Sequence, residues 1–374
     1  MGRLQTLPPE ILGLIFVLLQ EADISSLRGT SRTVRNVSER RYKELGRSVS
    51  IMLSSESLER LEMISNHHKH RDCVRSLVVR TAHVPTYVRS DGASCLFPGN
   101  EYQISLNQQQ QFLDSGDAST RLGKALNKLT NCNKICLTDA NDQKPLGFDR
   151  LRRRISPIEP QLGINEINPV KIKNTTYTMD CGESETFLNQ ALATMIKAAA
   201  QCSSIASIDI AIGKADPPGP ISSNGLVFSE DEREHFSQAF SGVTYLRVML
   251  LPECSKAKDL RRFLRLFSGL EVLEVEFLEA HPDDDLIRAL LYTKVSALKS
   301  LKLAGCDLGR KMLLKVLIHY QKAKEITLRE FWLPEDQDWD WVRENLIRAP
   351  EGPAVILDKC GYGETPEEGT RAVL

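Results

Sequence analysis

Charge of one sign is missing from this sequence. Its 48 basic side chains face 49 acidic ones, a formal net charge of -1, so bulk electrostatics direct it neither to nucleic acid nor to an anionic lipid surface. Long hydrophobic runs are missing too. The most apolar stretch, Ile11 to Leu19, falls well short of the roughly 20 residues that cross a bilayer. The residues ahead of it, Pro8, Pro9 and Glu10, are not the basic leader of a signal peptide. Paired metal-site cysteines are absent: the nine cysteines are odd in number and thinly spread, and Cys132 and Cys136 have no second pair to complete four ligands. Reduced thiols, and hence a cytoplasmic or nuclear location, follow as the expectation. Neither GxGxxG nor GxxxxGK[ST] occurs, which removes the usual phosphate cradles of a nucleotide enzyme.

Weaker signals lead no further. His67, His68 and His70 complete no known metal spacing and read as a solvated helix end. Asp283 to Asp285 reads as a helix start, and Arg152 to Arg154 before Ser156-Pro157 as an exposed charged loop. The start at Gly2 loosely fits an N-myristoylation pattern, and the sequons at Asn36 and Asn174 matter only in a secreted chain. No catalytic or metal constellation is visible in linear order, and no cofactor is expected.

What is present begins at residue 7. Pro8 or Pro9 suits a first helical turn, where a missing N–H costs nothing. The helix that follows is apolar on two faces, one with Leu12, Ile15, Phe16 and Leu19 and another with Ile11, Leu14 and Leu18. Such a helix needs two things to pack against. Asp23 reads as the cap of a second helix running through Leu27 to Val34, and Ser38 as the cap of a third, Glu39 to Leu45, ended by Gly46. Three helices this short are too small to cover both faces of the first.

The order Leu7-Pro8-x-Glu10-Ile11-Leu12, Ile15-Phe16, Leu19, Asp23-Ile24, Leu27-Arg28, Ser31-Arg32, Val34 and Arg41-Tyr42 resembles an F-box of the fungal type. That resemblance implies a three-helix module that docks on a Skp-type adaptor and through it on a cullin, while the rest of the chain holds a protein substrate. The adaptor-binding residues it implies are Leu7, Pro8, Ile11, Leu12, Ile15, Phe16, Leu19 and Leu27. The competing reading of the same residues is an amphipathic helical cap that buries them against a larger domain.

Beyond residue 46 a unit Leu/Val-x-x-Leu-x-Val recurs, at 74–79, 205–210, 243–248, 270–275, 298–303 and 323–328. Its middle residues at 246, 273, 301 and 326 are separated by 27, 28 and 25 positions, inside the leucine-rich-repeat range. The copy from Leu298 through Cys306 to Leu308 resembles the complete cysteine-type consensus, with Cys306 expected as a buried turn residue. Helical spacing fills the gaps at 57–66, 120–129, 185–200, 259–267, 284–292 and 310–320. Helix alternating with strand implies parallel strands with helices outside. Alternate strand positions carry charge (Arg75, Asp209, Arg247, Glu274, Lys302), as on a sheet face open to solvent.

The expected fold is therefore α/β: a three-helix F-box over residues 1–46, then an irregular leucine-rich-repeat-like curved array of parallel strands over 47–374. Long insertions are expected near 80–118, 140–183 and 211–230, and the acidic tryptophan segment from Trp332 to Trp341 as a terminal cap. A doubly wound α/β enzyme is the competitor. The expected function is a non-catalytic substrate receptor of a Skp-cullin-F-box ubiquitin ligase, with neither nucleic acid nor membrane as partner. The alternative is an interaction scaffold with an N-terminal cap and no ligase role.

Overall fold

Pro9 opens the first helix, α1 (Pro9–Leu18), and the Pro8 carbonyl accepts from the Ile11 and Leu12 amides, both at 3.1 Å. The helix stops where Leu19 turns extended. In the computed structural model, residues 7–19, 21–45, 47–82, 87–89, 100–140, 145–146, 148, 170–172, 175–179, 181–212, 223–250, 256–278, 284–293, 295–333, 336–347, 352–362 and 372–373 are described.

The next two helices depart from the sequence reading. The second, α2, is Glu21–Arg28 and the third, α3, is one continuous helix, Arg32–Leu45. Asp23 lies inside α2 rather than capping it. Gly29 and Thr30 end α2 in a turn, their amides donating to the carbonyls of Ser26 (3.2 Å) and Leu27 (2.9 Å). Ser31 then caps α3, its hydroxyl accepting from the Val34 amide at 3.1 Å. Ser38 is mid-helix and fully buried: its hydroxyl donates to the Arg35 carbonyl at 3.1 Å and accepts from the Arg28 guanidinium at 3.2 Å. A capping-type residue whose oxygen is already engaged does not start a helix. Gly46 lies outside the described residues.

The remainder is an array. Nine strands run parallel and neighbour one another in chain order: β1 (Ser48–Met52), β2 (Ser76–Arg80), β3 (Lys134–Thr138), β4 (Ser207–Ala211), β5 (Tyr245–Leu250), β6 (Val272–Phe277), β7 (Ser300–Asp307), β8 (Glu325–Leu333) and β9 (Ala354–Asp358). Two aliphatic ladders cross the whole sheet. One is Val49, Leu77, Ile135, Ile208, Leu246, Leu273, Leu301, Ile326, Val355; the other is Ile51, Val79, Leu137, Ile210, Val248, Val275, Leu303, Leu328, Leu357. Every rung is buried. At roughly 1.5–3 kcal/mol for each fully buried aliphatic side chain, these ladders dominate the fold. An order that never reverses has no topological switch point, so the doubly wound competitor, with its ligand crevice, is not the architecture.

The helices between strands are α4 (Ser55–Asn66), α5 (His68–Arg71), α6 (Asn100–Asp114), α7 (Asp117–Lys128), α8 (Cys181–Ala199), α9 (Glu230–Ala239), α10 (Ala257–Leu264), α11 (Asp284–Leu291), α12 (Arg310–His319) and α13 (Asp336–Ile347). All but α5, which buries no residue, share one core with the ladders, including an aromatic run from Phe228 through Phe236, Phe240 and Phe267 to Phe263 with centroids 5.1–5.9 Å apart. Cys306 is fully buried as expected, but it is still within β7, in register with Phe331 of β8, and is not at a turn. Gly305 beside it has φ 67°, and a Cβ there would collide with the Phe277 carbonyl oxygen. On the first edge, Leu146 bridges to Ile51 of β1; on the last, β9 pairs with Ala372–Val373, antiparallel.

The first two expected insertions are joined. Tyr87–Arg89 from one pairs antiparallel with Thr175–Met179 from the other, and Val170–Ile172 completes a separate three-stranded sheet. The glutamine tract within 107–111 belongs to α6 and not to a loop. In the third, a 3-10 turn at Ser223–Leu226 precedes α9. The arginine cluster at 152–154 and the Pro217 to Pro220 segment lie outside the described residues, as does Gly2.

Candidate functional site

Leu12, Phe16, Ile24 and Val34 form a small core at 0% exposure, with Leu7, Leu19, Leu27 and Val37 packed around it. This core is distinct from that of the array. The sequence-predicted adaptor residues therefore separate. Leu12 and Phe16 are a correction: four residues apart on one helix face, they meet Ile24 and Val34 and are closed to any partner. Ile15, Leu7, Leu19 and Leu27 are half-buried, and Pro8 and Ile11 are exposed. The open apolar face of α1 is Ile11, Leu14 and Leu18, at 44%, 66% and 85% exposure. Leu14 and Leu18 are not among the expected adaptor residues, although they are the most exposed of this face. Their signal was the second apolar face, at i, i+3 and i+7 spacing from Ile11.

The second surface is the sheet face opposite the ladders. The register places Cys136, Asp209, Arg247, Glu274, Lys302 and Thr327 on one row across β3 to β8. The charges are tied to each other and to neighbours that the sequence reading did not single out. Lys134 pairs with Asp209 at 3.0 Å, and the Tyr245 hydroxyl donates to Glu274 at 3.0 Å. Arg247 donates to Glu276 at 2.6 Å, and Arg329 pairs with the same carboxylate at 3.0 Å. Arg247 Nε lies 3.3 Å from Glu274, close enough for attraction but not aligned for a hydrogen bond. Arg247, Glu274 and Glu276 are only 15–17% exposed, so the network is half-desolvated, unlike the free solvent face expected.

Titration follows from that burial. Burial works against the Arg247 charge, but the hydrogen bond to Glu276 and the carboxylates of Glu274 and Asp209 outweigh it and hold the guanidinium above its ordinary pKa. The Tyr245 phenol is pushed up by burial and by the Glu274 charge it faces. The row is an ionic lattice. Burial likewise raises the Cys132 thiol to about 12 and the Cys360 thiol to about 11, so both are protonated at neutral pH. Among the described residues no three His, Cys, Asp or Glu side chains gather as metal ligands, and no helix is long and apolar enough to cross a membrane. The histidines at 67, 68 and 70 are exposed, with rings stacked or tilted against one another.

Trp339 is buried against Phe331 at 6.3 Å, while Arg310 lies over the Trp341 ring at 5.2 Å and pairs with Asp338 at 2.8 Å. The acidic tryptophan segment is thus partly turned inward.

No family model and no curated protein sequence matches this chain. Among solved structures it is similar to the crystal structure of a Bacteroides fragilis protein, at TM-score 0.39 and 10% identity over 85% of this chain and 75% of that one. A likeness this distant carries no argument about function.

Proposed function

We propose that this chain is the non-catalytic substrate receptor of a Skp-cullin-F-box ubiquitin ligase. Its N-terminal helices bind a Skp-type adaptor, and through it a cullin, while the array binds a protein target in the cytoplasm or nucleus. The chain's contribution is proximity: a held target presents its lysines to the ligase core at raised effective concentration. The proposal involves no cofactor, nucleic acid or membrane.

The observation that carries it is the division of labour on α1. One face closes a private core around Leu12 and Phe16, and the other leaves Ile11, Leu14 and Leu18 open. The rival, a scaffold whose helices merely cap the array, would have those helices share the array's core, and among the described residues none of the array belongs to theirs.

Co-purification with a Skp-type adaptor tests the proposal. Leu14→Asp with Leu18→Asp should weaken binding at least about tenfold, as loss of buried apolar anchors does at an interface, with the array's melting unchanged. Unchanged binding, or none by the wild-type chain, overturns it. Deleting residues 1–46 separates the rival: a removed cap exposes core and aggregates, whereas a removed docking module leaves the array soluble.

A further inference from the structure

The described helices α10 and α12 carry a charge imbalance that the near-neutral chain conceals, while α11 between them opens on Asp284 and Asp285. In and around α10, Lys256, Lys258, Arg261, Arg262 and Arg265 are all at least partly exposed, and the acid in the first turn, Asp259, is buried. On α12 and the turn after it, Lys311, Lys315 and Lys322 are exposed. The helix one repeat earlier, α9, is the reverse, with Glu230, Asp231 and Glu234 exposed. Asp259 lies 4.0 Å from Arg262, and the basic excess left over on this surface favours an anionic partner.

A groove of about 370 Å³ opens between α10 and α11 inside this patch. Its small floor residues, Ala257 and Ala289, leave room for an entering side chain, and Tyr292 stands exposed at its rim. Lys258, Arg261 and Arg288 line it against a single acid, Asp285, which already pairs with Arg288 at 3.1 Å. Arg261 has no ion pair among the described residues, and its Nε is buried without an acceptor.

We propose that the groove between α10 and α11 binds an acidic peptide segment of a partner protein, its carboxylates seated on Lys258, Arg261 and Arg288. A nucleic acid fits less well, because a phosphate backbone extending one repeat further meets the acids of α9. A bilayer fits less well because Tyr292 and Ile318 are the only exposed large apolar residues on these described helices. The site is separate from the α1 face and stands or falls independently of the ligase assignment.

Fluorescence anisotropy on the full chain tests it, with a short fluorescein-labelled Glu-Ser repeat peptide as probe. Saturable binding that weakens with added salt is expected, since exposed charges are screened within about 10 Å at 0.1 M. Lys258→Glu with Arg261→Glu should lower affinity about tenfold or more, and Lys315→Glu, on the neighbouring helix, should lower it less. Arg261→Gln, which keeps size and hydrogen bonding, guards against misfolding and should show a smaller loss with an unchanged melt. Three results overturn the proposal: no saturable binding by the wild-type chain, equal loss from Lys315→Glu, or tighter binding to a single-stranded oligonucleotide or to phosphatidylserine vesicles. Adaptor co-purification is read separately, so failure of one proposal is not mistaken for failure of the other.

Discussion

At the residue scale, Gly305 has little freedom. Its φ of 67° is left-handed, and the Phe277 carbonyl occupies the space a Cβ would need. Gly305→Ala should destabilise the array by about 1–3 kcal/mol, read as a lower urea midpoint at constant slope, because it meets both conformational strain and a clash with backbone. The burial of the neighbouring cysteine was legible in the sequence because the whole consensus from Leu298 to Leu308 surrounds it. Lys134, Tyr245, Glu276 and Arg329 were not, although their row partners Asp209, Arg247 and Glu274 were. Alternation tells which strand positions face away from the core, but the pairing partner depends on register, and register is a property of two strands that one-dimensional spacing does not contain.

Among elements, α4 and α7 are joined by a bidentate bridge. Arg121 Nε and Nη2 donate to the two Glu62 carboxylate oxygens at 2.8 and 2.9 Å. The hydrogen bond to Arg121 holds the Glu62 carboxyl below the ordinary carboxylate pKa. A depressed pKa contributes stability that is present above the unfolded value and lost as pH falls through the folded one. Arg121→Gln should therefore lower the melting temperature at neutral pH, and the gap from wild type should close below the ordinary carboxylate range. A gap that persists there would assign the effect to lost packing instead. Elements with a full repeat unit were legible, whereas β1 and β9 were not: edge strands pair on one side with a long partner, and the flanking apolar position of the unit is glycine in both, Gly46 and Gly352. The α2–α3 boundary was misplaced because Asp23, Ser31 and Ser38 are all capping-type residues. Only the turn at Gly29 and Thr30 selects Ser31.

Over the whole molecule, two cores imply two separable units. Phe16→Ala removes a fully buried ring from the small core and should cost that module about 3–5 kcal/mol. Hydrogen exchange should then show loss of protection in α1 to α3 while the ladder strands keep theirs. Equal loss in both would mean that the cores fold as one. The architecture was legible because repetition states the same unit many times over. The site was legible only in outline: a helix apolar on two faces announces two partners, but which face turns inward depends on where Ile24 and Val34 stand, and that depends on the misplaced helix boundary.

The small antiparallel sheet gives the array a mechanical asymmetry. A stack of repeats touching only their neighbours behaves as a spring whose coils open in succession. Tyr87–Arg89, beyond β2, is hydrogen-bonded to Thr175–Met179, ahead of β4, so the chain is clasped across the repeat that contains β3. Among the described strands, β5 to β9 carry no such cross-repeat clasp. Pulled at its ends, the array should release its later coils at low force and hold its early ones as a stiff grip until the clasp shears.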